Sequence, residues 1–206
     1  MIHTQLLEIS PIFRNISIEE ALKLVVLYTH VLLCCFAISA VLYSDLKILT
    51  GSLNNSSLRK ISERISLALI ALWATGLLMV GIDTGLQPDL ILSNSKLLLK
   101  LTVVSVLTAN GVVLHFVSFP ILSTGGSQSL LKTSALCVTG ALSTSHWLLA
   151  VFVGISGPLG RFQTGELLIG YFGYLSVTLL IAVTFIPVLT YTLKRSNPLN
   201  HAVKTH

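Results

Sequence analysis

The 206-residue chain is 53% hydrophobic and only 10% charged, with a mean hydropathy of +0.85. A soluble domain of this size has about a quarter of its residues charged, so the composition excludes an ordinary water-soluble enzyme and reads as an integral membrane protein. The net charge of +5 is no nucleic-acid signature, because the basic residues cluster beside apolar segments.

In chain order, residues 1–20 are expected to form an external surface segment. Glu8, Glu19 and Glu20 and the late start of the apolar run argue against a signal peptide. Five apolar runs follow within residues 21–195, at about Ala21 to Tyr43, Ile65 to Ile82, Leu97 to Val117, Leu131 to Ile155 and Leu167 to Leu193. Each is near the ~20 residues a helix needs to cross ~30 Å of hydrocarbon, and none alternates like a barrel strand. The expected fold is all-α, a polytopic bundle of five transmembrane helices in a lipid bilayer, with residues 196–206 as a tail. Between spans one and two, Asn54-Asn55-Ser56-Ser57 reads as a polar loop, with Ser57 capping a helix from about Leu58. Pro187 is expected to kink span five, with the hydroxyls of Thr184 and Thr190 near the freed backbone groups. Cys34, Cys35 and Cys137 lie inside apolar runs without zinc or disulfide spacing, and read as small hydrophobes.

Charge sets the expected orientation. One side carries Lys47, Arg59, Lys60, Arg64, Lys132, Lys194, Arg195 and Lys204 against Asp45 and Glu63. The other carries Arg14, Lys23, Lys96, Lys100 and Arg161 against Glu8, Glu19, Glu20, Asp83, Asp89 and Glu166. The balance is +6 against −1, which places the N-terminus outside and the C-terminus in the cytoplasm.

Ionisable side chains inside hydrocarbon are costly, so each is a functional candidate by default. His30 lies nine residues from the outer end of span one, and His146 nine residues from the outer end of span four. At ~1.5 Å per residue both sit ~13 Å below the outer boundary. Two imidazoles at one level on different helices suit the axial positions of a haem iron, so both are candidate metal ligands. Thr139, Ser143 and Ala150 share the His146 face, and Cys34 and Ala37 that of His30, leaving room for a macrocycle. The bland alternative is that each histidine bonds a neighbouring hydroxyl or carbonyl and glues helices together; metal or proton handling is a third. Lys100 either snorkels to the interface or points inward to an anion such as a propionate. Asn110 reads as inter-helix glue and His115 as interfacial. Trp73 and Trp147 read as packing residues, and Asp83, Asp89, Arg161 and Glu166 as outer-loop charges that would meet solvent, a quinone headgroup, a metal or a partner.

Three stretches carry a family resemblance: Leu27-Tyr28-Thr29-His30 leading through Phe36-Ala37 to Tyr43; Arg59-Lys60-Ile61-Ser62-Glu63-Arg64 leading into Trp73-Ala74-Thr75-Gly76-Leu77; and Ser95-Lys96-Leu97-Leu98-Leu99-Lys100-Leu101, closing near Pro120. Over roughly half its length the chain resembles the copper-resistance protein D superfamily, including its HemJ-type protoporphyrinogen oxidase relatives. The resemblance implies that His30 and Lys100 are the functional pair, and that His30 ligates haem b. The combined expectation is a bacterial inner-membrane protein binding haem b through His30, with His146 or Lys100 as second ligand. Its role would be electron transfer or porphyrinogen oxidation, with quinone or a porphyrinogen as partner, alone or as a homo-oligomer or complex subunit. The competing expectation is a non-catalytic subunit or small transporter, copper or metal handling included, whose histidines are structural.

Overall fold

The computed structural model describes residues 17–50, 55–118 and 129–195. Residues 1–16 of the expected external segment, the tail 196–206 and Pro120 lie outside the described residues. Among the described residues there are six α-helices and no strand: α1 Ile18–Leu49, α2 Asn55–Thr84, the short α3 Pro88–Ser93, α4 Ser95–Val113, α5 Leu130–Ile155 and α6 Thr164–Arg195. All but α3 are long and apolar enough to cross a membrane.

The apolar runs survive in the structure, but three helices outlast them because local polar chemistry sets their ends. Ser17 and Glu20 form a reciprocal capping box that starts α1 at Ile18, three residues before the apolar run. The same helix continues past Tyr43 to Leu49. Ahead of span two, the basic stretch is helical too, with Arg59 and Glu63 paired one turn apart. Helix α2 therefore starts at Asn55, and Ser57 lies within its first turn, not before it. Asn94 caps α4 by accepting from Leu97 N. A π-helical turn, Leu114–Ser118, replaces its last turn, where the sequence suggested a plain helix to Val117. Helix α5 matches its apolar run to within one residue. Pro187 lies inside α6, while Thr184 donates to Ile181 O and Thr190 to Ile186 O. Gly85 ends α2 with φ of 58°, the left-handed conformation in which a residue without Cβ is unstrained.

Helix α1 packs on α2, α4 on α5 and α5 on α6, with α1 also touching α5. One apolar cluster joins Ala37 and Val41 of α1, Ala68 and Leu72 of α2, Leu107 of α4 and Trp147 of α5. The alanines at its centre let helix backbones approach closely. A second cluster joins Leu99 and Val103 of α4, Val153 of α5, and Leu167 and Tyr171 of α6. The third holds Leu136, Cys137 and Leu189, so Cys137 is a packed small hydrophobe. Large apolar side chains such as Ile70, Ile169 and Leu180 point outward, as they must where the solvent is lipid.

Candidate functional site

His30 faces α2. Its Nδ1 lies 2.7 Å from Thr75 Oγ1, and the Thr75 hydroxyl itself donates to Ala71 O at 2.9 Å. A hydroxyl has one proton, so wherever Thr75 spends it on Ala71 O or Leu72 O, His30 Nδ1–H is the donor and Nε2 keeps its lone pair. Among the described residues nothing bonds Nε2. Gly76 flanks the ring: a Cβ built there would sit 3.6 Å from His30 Cε1. Ala37, fully buried two turns along the same face, and Cys34 packed beside it, place the half-buried imidazole on the inward side of α1.

Two turns from His30, near the N-terminal end of α1, Lys23 forms an ion pair with Asp83 of α2. The two pairs share one register, since Lys23 precedes His30 by seven residues and Asp83 follows Gly76 by seven. Lys100 of α4 is close enough for its charge to act on His30, Asp83 and Lys96. It is exposed, and among the described residues it makes no hydrogen bond or ion pair. His30 and Lys100, the pair singled out by family position, are thus electrostatic neighbours.

His146 is arranged differently. It is completely buried. Its Nδ1 lies 2.7 Å from Leu142 O and its Nε2 2.9 Å from Tyr171 Oη. A carbonyl only accepts, so Nδ1 carries the proton and Tyr171 donates to Nε2. Both nitrogens are used, one within α5 and the other across to α6. The tyrosine also stands edge-on to the ring, with centroids 5.9 Å apart. His30 bonds toward α2, and His146 bonds within α5 and toward α6. Of the small residues on the His146 face, Thr139 is engaged: Asn110 donates to Thr139 O at 2.9 Å, and Ser118 pairs with the Thr139 hydroxyl.

A residue pair missed by sequence reading lies between α1 and α5. Asp45, assigned to the cytoplasmic flank when span one was ended at Tyr43, lies within the span-length helix and accepts from the Thr144 hydroxyl. Many other hydroxyls in the bundle, such as Thr102, Thr108, Ser134 and Ser176, donate to the carbonyl four residues back. Thr144 instead spends its proton on the carboxylate. The available signal was spacing: Asp45 stands four and eight residues beyond the buried Val41 and Ala37.

The tryptophans pack. Trp147 is buried in the first cluster, and Trp73 donates Nε1–H to Thr108 Oγ1 at 2.9 Å, tying α2 to α4. His115 is exposed and edge-on to Phe116. Among the described residues no three His, Cys, Asp or Glu side chains are grouped as a metal cage. Comparison with protein-family models, curated proteins and solved structures finds no match to this chain.

Proposed function

We propose that the chain is a bacterial inner-membrane protein, N-terminus outside, that holds haem b in the outer half of the bundle on His30 and takes part in electron transfer. The observation that carries the reading is the His30–Thr75 hydrogen bond. A hydroxyl held on Nδ1–H fixes ring orientation and tautomer and leaves Nε2 as donor, the arrangement expected of a ligating histidine. Gly76 against the ring edge keeps that face free of a side chain. Lys100, without an anionic hydrogen-bond partner among the described residues, suits a propionate.

The fit is one-sided. His146 has no free nitrogen in this arrangement, so it contributes packing and not a second imidazole. When bound, haem b supplies one-electron chemistry, and the protein tunes it through ligand identity and burial. What this chain's own residues do is narrower: Thr75 orients the ring of His30, and Lys100 balances negative charge.

Absorption spectra of the purified full chain, expressed with ample haem and recorded oxidised and reduced, test the reading. A Soret band lost in His30→Ala, and weakened without change of spin state in Lys100→Ala, is expected. No Soret band in the wild type overturns it. Orientation is tested separately: a reporter active only in the periplasm is expected to work when inserted near Gln87 and to fail after Lys204.

A second reading has its own support in the fully satisfied ring of His146. If His30 is likewise a helix-joining residue, the chain is a non-catalytic subunit or small transporter. An intact fold in His30→Ala, with no chromophore in either form, is its signature.

A further inference from the structure

The bundle has a groove of about 570 Å³ between α5 and α6, backed by Leu99 of α4. In the orientation proposed above it belongs to the outer half: its α5 wall, Leu148 to Val153, lies within the last two turns or so before Ile155, and its α6 wall begins at Glu166. His30 is not among its lining residues, so the groove is separate from the site proposed for haem. Two features define what it can hold.

The first is a place where a side chain is missing. A Cβ built on Gly170 meets nothing within 4 Å, as at most of the described glycines, so the α6 wall is open at this point of the groove. The neighbouring Tyr171 is turned inward and held by His146, so the groove floor is pinned and its open volume does not come from loose packing. The second is charge. Glu166 is the one charged residue in the lining, and it stands in the first turn of α6, at the outer mouth. One of its oxygens accepts from Gln163 N at 2.9 Å, closing the helix end; among the described residues the other has no partner. The nearby Arg161 is not part of the lining. An apolar channel whose walls Leu148, Phe152 and Phe162 also face outward admits a hydrocarbon chain sideways from the bilayer. A single carboxylate at its mouth selects a positive head.

We infer that the α5–α6 groove is a binding site for a single-chain amphiphile with a cationic head, entering from the outer leaflet, with its tail beside Gly170 and its head against Glu166. The site is independent of whether His30 carries haem.

The test uses the full chain in nanodiscs of phosphatidylcholine and a hexadecylamine bearing a mid-chain diazirine, with labelled peptides mapped by mass spectrometry. Labelling is expected on the α5 and α6 walls and should be competed away by hexadecyltrimethylammonium but not by hexadecyl phosphate. Glu166→Gln keeps the helix-closing acceptor while removing the charge, and should weaken competition about three- to fivefold. Gly170→Leu fills the groove, is favoured by helix propensity, and should reduce labelling roughly tenfold through the chain contacts it displaces. Both variants should remain monodisperse. Labelling that is not competed, or that responds equally to a neutral hexadecanol analogue and is unchanged in Glu166→Gln, means that the groove holds bulk lipid and overturns the inference. Unchanged labelling in a folded Gly170→Leu protein overturns it as well.

Discussion

The two intramembrane histidines occupy contrasting interfaces. His146, between α5 and α6, has no exposed surface, and both its nitrogens are committed, one to a carbonyl of its own helix and one to a phenol on the next. His30, between α1 and α2, is half-buried and among the described residues has a partner for one nitrogen only. Neutral imidazole offers one donor and one acceptor. A ring that spends both inside the bundle has nothing left to offer a ligand and serves to join helices, whereas a ring that spends only its donor is oriented and still basic. Depth in the membrane makes the two residues look equivalent; counting their hydrogen bonds separates them.

The largest expected effect follows from that count. His146→Ala leaves a cavity and an unpaired Tyr171 hydroxyl in a buried cluster, and should lower stability by about 3 kcal/mol, read as a clear fall in unfolding temperature in detergent. If His30→Ala destabilises as much, the contrast fails. Next in size is Tyr171→Phe. It removes one hydrogen bond and leaves His146 Nε2 without a donor, for about 1 kcal/mol. Removing the phenol should matter less than removing the imidazole. The reverse order would show that the aromatic contact, not the hydrogen bond, holds α5 to α6.

His30→Ala should cost under about 1 kcal/mol of stability, because Thr75 keeps its bond to Ala71 O. Its effect should appear in ligand binding instead. The smallest effect is at the rim. A double-mutant cycle on the Lys23–Asp83 pair should give a coupling of roughly 0–1 kcal/mol that fades with salt, since both side chains are nearly half exposed. A large, salt-independent coupling would mean that this rim is shielded from water and that Lys100 sits in a drier site than its exposure suggests.

Much of the architecture was legible because hydrophobic length is a one-dimensional property. The run from Leu131 to Ile155 becomes α5 almost unchanged. Helix ends were less so, because Ser17–Glu20 and Arg59–Glu63 extend helices through polar residues that hydropathy treats as boundaries. Partnerships between helices were hardest to read. Asn110 was expected to glue helices and does, but its acceptor, Thr139 O, lies 29 residues on. The Tyr171 hydroxyl that completes His146 is 25 residues away, and nothing in the spacing of either helix sets their relative rotation. Two histidines expected at one depth therefore differ in their bonding. Asp45 was misplaced for a related reason: its partner is on another helix, so ending span one early carried no visible penalty.

The Asp45–Thr144 bond also has a consequence in time. Its two ends are separated by 99 residues. At synthesis rates of about 5–20 residues per second, some 5–20 s pass between the making of the carboxylate and of its hydroxyl partner. During that interval α1 carries near its C-terminal end an acidic group of the kind that hydrocarbon disfavours. Until α5 arrives, that carboxylate lacks the Thr144 hydroxyl it accepts from in the finished fold. The contact that ties α1 to α5 is therefore completed late in synthesis, although α1 is the first of the described helices to be made.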